Sequence, residues 1–328
     1  MKRYIARRIL MFIPVLVGVS VIIFTLMRIV PGDVALMILI GPEGEGSVDP
    51  KQYQKLRHDL GLDKPIFVSF THPGSGSQYG EWVWGLIRGD WGKSIRTDTP
   101  VMSEIGRRFP LTFEMATLTV IVSVLIALPL GIIMAIRQDG LLDYSVRLIS
   151  IGGLAMPTFW TGSLMLLFMT VWFNWIPPLG YQHFWDNPWN NIRQVIWSSI
   201  ALGYLLSAVI ARMTRSTLLE VLRQDYIRTA WAKGLRERTV ILRHAIKNAI
   251  LPVITLVGIY YAALIGGTVI MENLWNLPGL GRSLIESINF RDYPMVQGLI
   301  MVFAFVIVCA NLLVDLMYAW LDPRVRYT

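Results

Sequence analysis

Apolar residues gather in six long blocks, at approximately residues 9–30, 111–136, 148–173, 192–211, 249–271 and 295–319, each bounded by charged or turn-forming residues. About 20 mostly apolar residues, rising ~1.5 Å each, are enough to cross ~30 Å of hydrocarbon. Each block therefore predicts a membrane-spanning helix, and the chain is expected to be an all-α membrane protein with six transmembrane helices. The intervals divide it into an N-terminus with the first helix (1–30), an extracytoplasmic insertion between helices 1 and 2 (31–110), a core of helices 2–6 (111–319) holding a polar loop at 212–250, and a tail (320–328). Composition agrees: 54% of residues are hydrophobic and the mean hydropathy is +0.52, more than a soluble domain of this length requires.

Charge orients the spans. Lys2, Arg3, Arg7 and Arg8 precede the first block, and Arg212, Arg215, Arg223, Arg228, Lys233, Arg236, Arg238, Arg243 and Lys247 lie between the fourth and fifth. Cations beside spans mark the cytoplasmic side. Segments 174–191 and 272–294 carry only Arg282 and Arg291 and fall on the other side, so an even number of spans puts both termini in the cytoplasm. The net charge of +8 thus reads as topology rather than as a nucleic-acid surface. A secretory signal is the competing reading of the first 30 residues, but the apolar run is too long and ends in Val30, Pro31, Gly32 and Asp33 without a small-x-small cleavage site.

In the insertion, Asp49, Pro50 and Gly61 frame a short helix as N-cap, first position and terminator. Trp82, Trp84, Leu86 and Ile87 are expected to rest on the membrane surface, because tryptophan favours the headgroup layer. Gly92, Lys93 and Ser94 imitate the end of a phosphate loop, yet Ile87 stands where that loop needs its first glycine. His58, His72, His183 and His244 have no metal-ligand spacing and are expected to be solvated; no metal or cofactor site is predicted. Cys309, the only cysteine, allows no intrachain disulfide and reads as a packing residue.

The loop 212–250 is too polar to cross the membrane and too rich in helix formers to be slack. Asp225 can cap a helix ended by Gly234, and Glu237 to Asn248 predicts a second short helix leading to Pro252, where the fifth span begins. The residues leave two readings open. The cations either set topology and bind anionic headgroups, at about 1 kcal/mol each, or belong to a stiff knob through which a cytoplasmic partner moves the bundle.

The stretch DYIRTAWAKGL (225–235) followed by HAIKNAILPV (244–253) resembles the cytoplasmic EAA loop of permeases of bacterial and archaeal peptide and nickel ABC importers. The resemblance extends over nearly the whole chain, through RRILMFIPVLVGVSVIIF and PGD at the start, LGLDKPI and GDWGKS in the insertion, DYSVRLISI, LPGLGR and DYPMVQG. It implies a type I ABC importer permease fold in a prokaryotic inner membrane. It also implies a second, related permease, two ATPase subunits and an extracytoplasmic substrate-binding protein that meets the region of PGD and LGLDKPI. The coupling helix that docks in the ATPase would be carried by Asp225, Tyr226, Arg228, Thr229, Ala230, Lys233, Gly234 and Leu235. Arg228 replaces the glutamate of the general motif, and Leu251 and Pro252 lie farther from the glycine than in sugar importers; both departures match the peptide and nickel branch.

Gly258, Ala262 and Gly266 form a small-residue face on the fifth span that suits a close helix contact, within the subunit, with a second permease or along the substrate route. Pro129 and Pro157 are expected to bend the second and third spans. Glu114 and Asp315 sit near span ends, which argues against an ion-coupled secondary transporter, whose acids belong at midmembrane. A membrane-embedded enzyme would need a nucleophile, metal site or acid pair at that depth. The expected function is a non-catalytic permease for di- or oligopeptides, with nickel chelates, glutathione or oligosaccharides as alternative cargoes.

Overall fold

The computed structural model describes residues 2–29, 35–36, 39, 49–59, 62–67, 76–178 and 180–321. PGD, Gly61, His72 and the last seven residues of the tail lie outside these. The described part is all-α, with only an isolated antiparallel bridge between Lys93 and Pro100.

Its helices are α1 (Lys2–Ile29), α2 (Pro50–Asp59), α3 (Gln78–Arg88), α4 (Val101–Ile136), α5 (Leu141–Ala155), α6 (Thr158–Phe173), α7 (Pro188–Leu222) and α8 (Asp225–Ala232). They continue with α9 (Glu237–Gly267, containing a π turn at Val240–Ala245), α10 (Val269–Leu274), α11 (Leu280–Asn289) and α12 (Tyr293–Leu321). Five of them are long and apolar enough to cross a membrane: Leu10–Ile29 of α1, all of α4, α7 and α9, and Tyr293–Met317 of α12. The pair α5 and α6 passes the same test of length and apolarity only when taken together.

That pair corrects the single helix expected over 148–173. The chain breaks at Met156 and Pro157, and the two helices meet at 107°. Proline lacks the N–H that would bond Gly153, and its ring drives the preceding residue out of the helical region. Met156 is accordingly extended (φ −92°, ψ 131°) and Pro157 caps the new helix. Pro129, by contrast, lies inside α4, which passes through it as one element.

Contacts group the chain into two units, one of residues 109–282 and 306–328, the other of 2–108 and 283–305. In the first, α4 and α7 approach until glycine is required: a Cβ on Gly131 would stand 2.7 Å from the Ala211 carbonyl oxygen, and one on Gly203 would stand 3.1 Å from that of Thr119. Ala127, Met134, Leu206, Ile210, Ala211 and Val253 fill the space where α4, α7 and α9 meet.

Two buried carboxylates fasten this unit. Asp143, in the first turn of α5, accepts from Arg215 of α7 through both oxygens (3.0 and 2.8 Å), from Arg147 (2.8 Å) and from the Asp139 amide (3.0 Å). Glu272 of α10 accepts from the hydroxyls of Thr112 and Thr268 (2.8 Å each) and from the Arg282 amide (2.9 Å). The segment LPGLGR wraps this carboxylate: a Cβ on Gly279 would fall on it, and one on Gly281 would meet the Val269 backbone at 2.6 Å.

In the second unit, α3 lies against α1. Phe24 is fully buried beneath Tyr79 and Trp82, with ring centroids 5.3 and 5.4 Å away, and the Ser20 and Tyr79 hydroxyls are 2.8 Å apart. Trp82 therefore turns toward α1 while Trp84 and Ile87 stay exposed. Asp49 caps α2 by accepting from the Lys51 amide (3.0 Å). GDWGKS meets DYPMVQG at Asp292, whose buried carboxylate accepts from the Ser94 hydroxyl, the Ile95 amide (3.1 Å) and the Met295 amide (3.3 Å). Ser94 thus serves as a tether.

Removing the Asp143 carboxylate leaves the partly exposed Arg215 and Arg147 guanidiniums without their shared buried partner. Asp143→Ala is expected to cost about 1.5–3 kcal/mol, seen as a lower melting midpoint of the detergent-solubilised chain. Gly279→Ala crowds Glu272 and is expected to cost about 1–3 kcal/mol, checked by the same melt.

Candidate functional site

α7 ends at Arg223, whose amide closes back on Glu220 and Val221, and the chain re-enters a helix at once. Gln224 is the N-cap residue and offers no side-chain bond. Asp225 is not the cap expected of it but the first helical residue, where its charge still suits the positive end of the helix. Gly234 ends the helix in the left-handed region (φ 72°), its amide bonded to the Trp231 carbonyl at 2.9 Å.

One turn separates the only two buried residues of α8, Ile227 and Ala230. They pack with Ala135, Leu218, Val240, Ala245 and Ala249, so this short helix is held by α4, α7 and α9 together. Asp225, Tyr226, Arg228, Thr229, Lys233, Gly234 and Leu235 are exposed, leaving Ala230 as the member of the expected coupling set that points inward. Tyr226, Trp231 and Leu235 keep 43%, 43% and 37% of their surface open. The Tyr226 hydroxyl accepts from the Asn248 amide group at 2.8 Å, tying α8 to α9. Arg228 and Asp225 pair at 3.5 Å in the open, which adds little.

The second short helix expected over Glu237 to Asn248 is instead the start of the fifth span, continuous to Gly267. Pro252 lies inside it. The carbonyl it leaves without a donor is that of Asn248, an exposed residue, so polar surroundings can supply a partner.

The small-residue face of α9 meets α12. Gly258 packs closely on Val314, and a Cβ on Gly266 would stand 3.9 Å from Ile307, one antiparallel step along. Gly258 and Tyr261 also border a cavity of about 420 Å³ whose other walls are aliphatic, among them Val120, Val124, Val257 and Val314. Ala262 is buried.

The contacts of several polar residues were not read from the sequence. Glu114 accepts from Asn191 (3.0 Å) and from the Tyr181 hydroxyl (3.3 Å), and burial, with that carboxylate beside it, raises the tyrosine pKa above its ordinary value. His183 is stacked on Trp185 with its Nδ1 buried, not solvated as expected, while His58 contacts Asp63 at 2.9 Å. Among the described residues no cluster of His, Cys, Asp or Glu is arranged for a metal.

Family models match both halves of the chain: the binding-protein-dependent transport system inner membrane component over residues 127–327, and its N-terminal companion over 1–116. The dipeptide transport system permease protein DppB of Alkalihalophilus pseudofirmus is 37% identical, with all of both chains covered. A putative peptide transport system permease protein of Brucella abortus is also 37% identical over the full length of both. DppB of Escherichia coli K12 is 35% identical, covering all of this chain and 99% of its own.

Open space surrounds the position of a Cβ on Gly234, so only backbone strain opposes a side chain there. Gly234→Ala is expected to cost about 1–2 kcal/mol locally, raising amide hydrogen exchange in residues 225–235 while leaving the spans protected.

Proposed function

Because the chain belongs to the binding-protein-dependent transport system inner membrane components, we propose that it is one permease subunit of an ATP-driven peptide importer. A binding protein would deliver the peptide outside, two separate ATPase subunits would close on ATP, and α8 would pass that closure to the spans. The permease itself carries no chemistry in this scheme. A second, related permease completes the pathway. Both termini lie in the cytoplasm, as the cations flanking α1 and those between α7 and α9 favour.

The observation that carries this reading is the two-faced build of α8. Its buried side is seated in three spanning helices, and its open side presents Tyr226, Trp231 and Leu235 beside exposed Arg228 and Lys233. Aromatic and arginine side chains are the common anchors of protein interfaces, and a rigid seat is what transmits their displacement. Dipeptides are favoured over nickel chelates, glutathione or oligosaccharides by the names of the relatives, which are dipeptide and peptide permeases.

Reconstitution separates the hypotheses. Vesicles holding this chain and its partner permease should take up dipeptide only when the binding protein, both ATPases and ATP are present; uptake by the permease alone would make it a secondary transporter. In the full assembly, Trp231→Ala with Leu235→Ala should cut uptake by about tenfold or more, since an interface anchor contributes ~2 kcal/mol. Undiminished uptake would remove α8 from the coupling role. Gly234→Pro, which cannot adopt φ 72°, should uncouple ATP hydrolysis from uptake without blocking insertion.

A further inference from the structure

We propose that a cavity at the Arg28 end of α1 binds the phosphate of an anionic phospholipid. The cavity measures about 730 Å³, within the range of small-molecule sites. Arg28, Arg57, Lys64 and Lys93 all border it, and no aspartate or glutamate is among its described lining residues.

Two of these cations already have acids: Lys64 meets Glu81 at 2.5 Å and Lys93 meets Asp98 at 3.7 Å. The other two meet only neutral groups among the described residues. Arg28 donates to the Gln78 carbonyl oxygen (3.0 and 3.3 Å) and lies 3.9 Å from the Phe24 ring centre; Arg57 lies 5.7 Å from that of Tyr53. A half-buried guanidinium without a counter-charge is costly, and its forked donors fit phosphate oxygens in pairs.

The second observation is independent of charge. Tyr293 and Gln297, four residues apart on one face of α12, line the same cavity and are only 5% and 4% exposed. The Tyr293 hydroxyl and the Gln297 amide nitrogen are both buried without a hydrogen-bond partner among the described residues. A buried donor left unpaired is costly. Two donors without a partner among the described residues, beside two guanidiniums that meet no carboxylate there, suit an acceptor-rich anion.

Its position selects the kind of anion. Arg28 occupies the last turn of a membrane-spanning helix, which is headgroup depth. Met27, Leu62, Ile66 and Ile95 give the cavity an apolar wall, and Ile66 is itself 45% exposed. Cations on one side and aliphatic groups on the other suit a phosphodiester with its attached glycerol and chains better than a free ion.

The test uses the full chain, stripped of lipid and placed in nanodiscs of phosphatidylcholine with or without phosphatidylglycerol, then released into native mass spectrometry. Phosphatidylglycerol should be retained in preference to phosphatidylcholine and should raise the melting midpoint. Arg28→Gln with Arg57→Gln, and separately Gln297→Leu, should weaken retention by about tenfold or more, as the loss of a charge-assisted or buried bond implies. Arg57 is exposed, so Arg57→Gln alone tests the site without endangering the fold, and Arg57→Lys should restore part of the effect. Lys55→Gln, on the same helix but outside the lining, should change nothing. Equal retention by the double variant would overturn the proposal. So would stabilisation by inorganic phosphate as strong as that by the lipid, which would assign the site to a free anion, or by the purified binding protein in place of the lipid, which would assign it to a protein carboxylate.

Discussion

Buried carboxylates that collect hydrogen bonds from remote segments hold this structure in register. Lipid tails are as apolar as leucine, so burying aliphatic side chains between spanning helices supplies little drive for their association. A polar group left unsatisfied there is costly, whereas one bonded by several donors fixes the position of each donor. Asp143 binds α5 to α7, Glu272 binds α4 to α10 and the LPGLGR turn, and Asp292 binds the start of α12 to the GDWGKS turn. The glycines around Glu272 follow from the same constraint, because the turn must come close enough for its amides to reach the carboxylate.

One of these clusters bears directly on α8. Arg215, held by Asp143, and Leu218, which packs with Ile227, lie one turn apart on α7. A displacement of α8 therefore reaches α7 at the place where α5 is clamped to it. α5 then ends at the break before Pro157, so this clamp, rather than a straight helix, connects the α8 end of α7 with the α5–α6 pair. The apolar seat and the ionic clamp divide the work: the first lets α8 fit closely against small residues, and the second gives its neighbour a fixed partner.

Features set by local sequence were legible. The apolar blocks located the spans, Gly234 marked the end of α8 because a left-handed residue is needed there, and Asp49 capped α2 through bonds to its own neighbours. Features set by distant pairing were not. Nothing local in DYSVRLISI says that its aspartate will meet Arg215, and GDWGKS shows no link to Asp292 until the chain is folded. Helix extents failed for a related reason: hydropathy ends where charge begins, but backbone hydrogen bonding continues, so α4, α7 and α9 run well past their apolar blocks. At Pro157 the residue type was right and the severity wrong. Sequence suggests a bend, while the extended Met156 makes a full break.

Burial is distributed unevenly among the spans, and α7 is the most enclosed of the straight ones. Two thirds of its apolar window is buried, against at most a third in the other straight spans. Small and polar residues supply much of that burial: Asn191 reaches Glu114, Gly203 admits Val122, and Ser198 bonds within its own helix. A helix so enclosed cannot tilt alone, because each neighbour is in van der Waals contact and its voids are small. A displacement of its α8 end would be shared with α4, α5 and α9 rather than absorbed by a loose helix. Only two residues separate α7 from α8, so α8 is joined directly to the element least able to yield by itself.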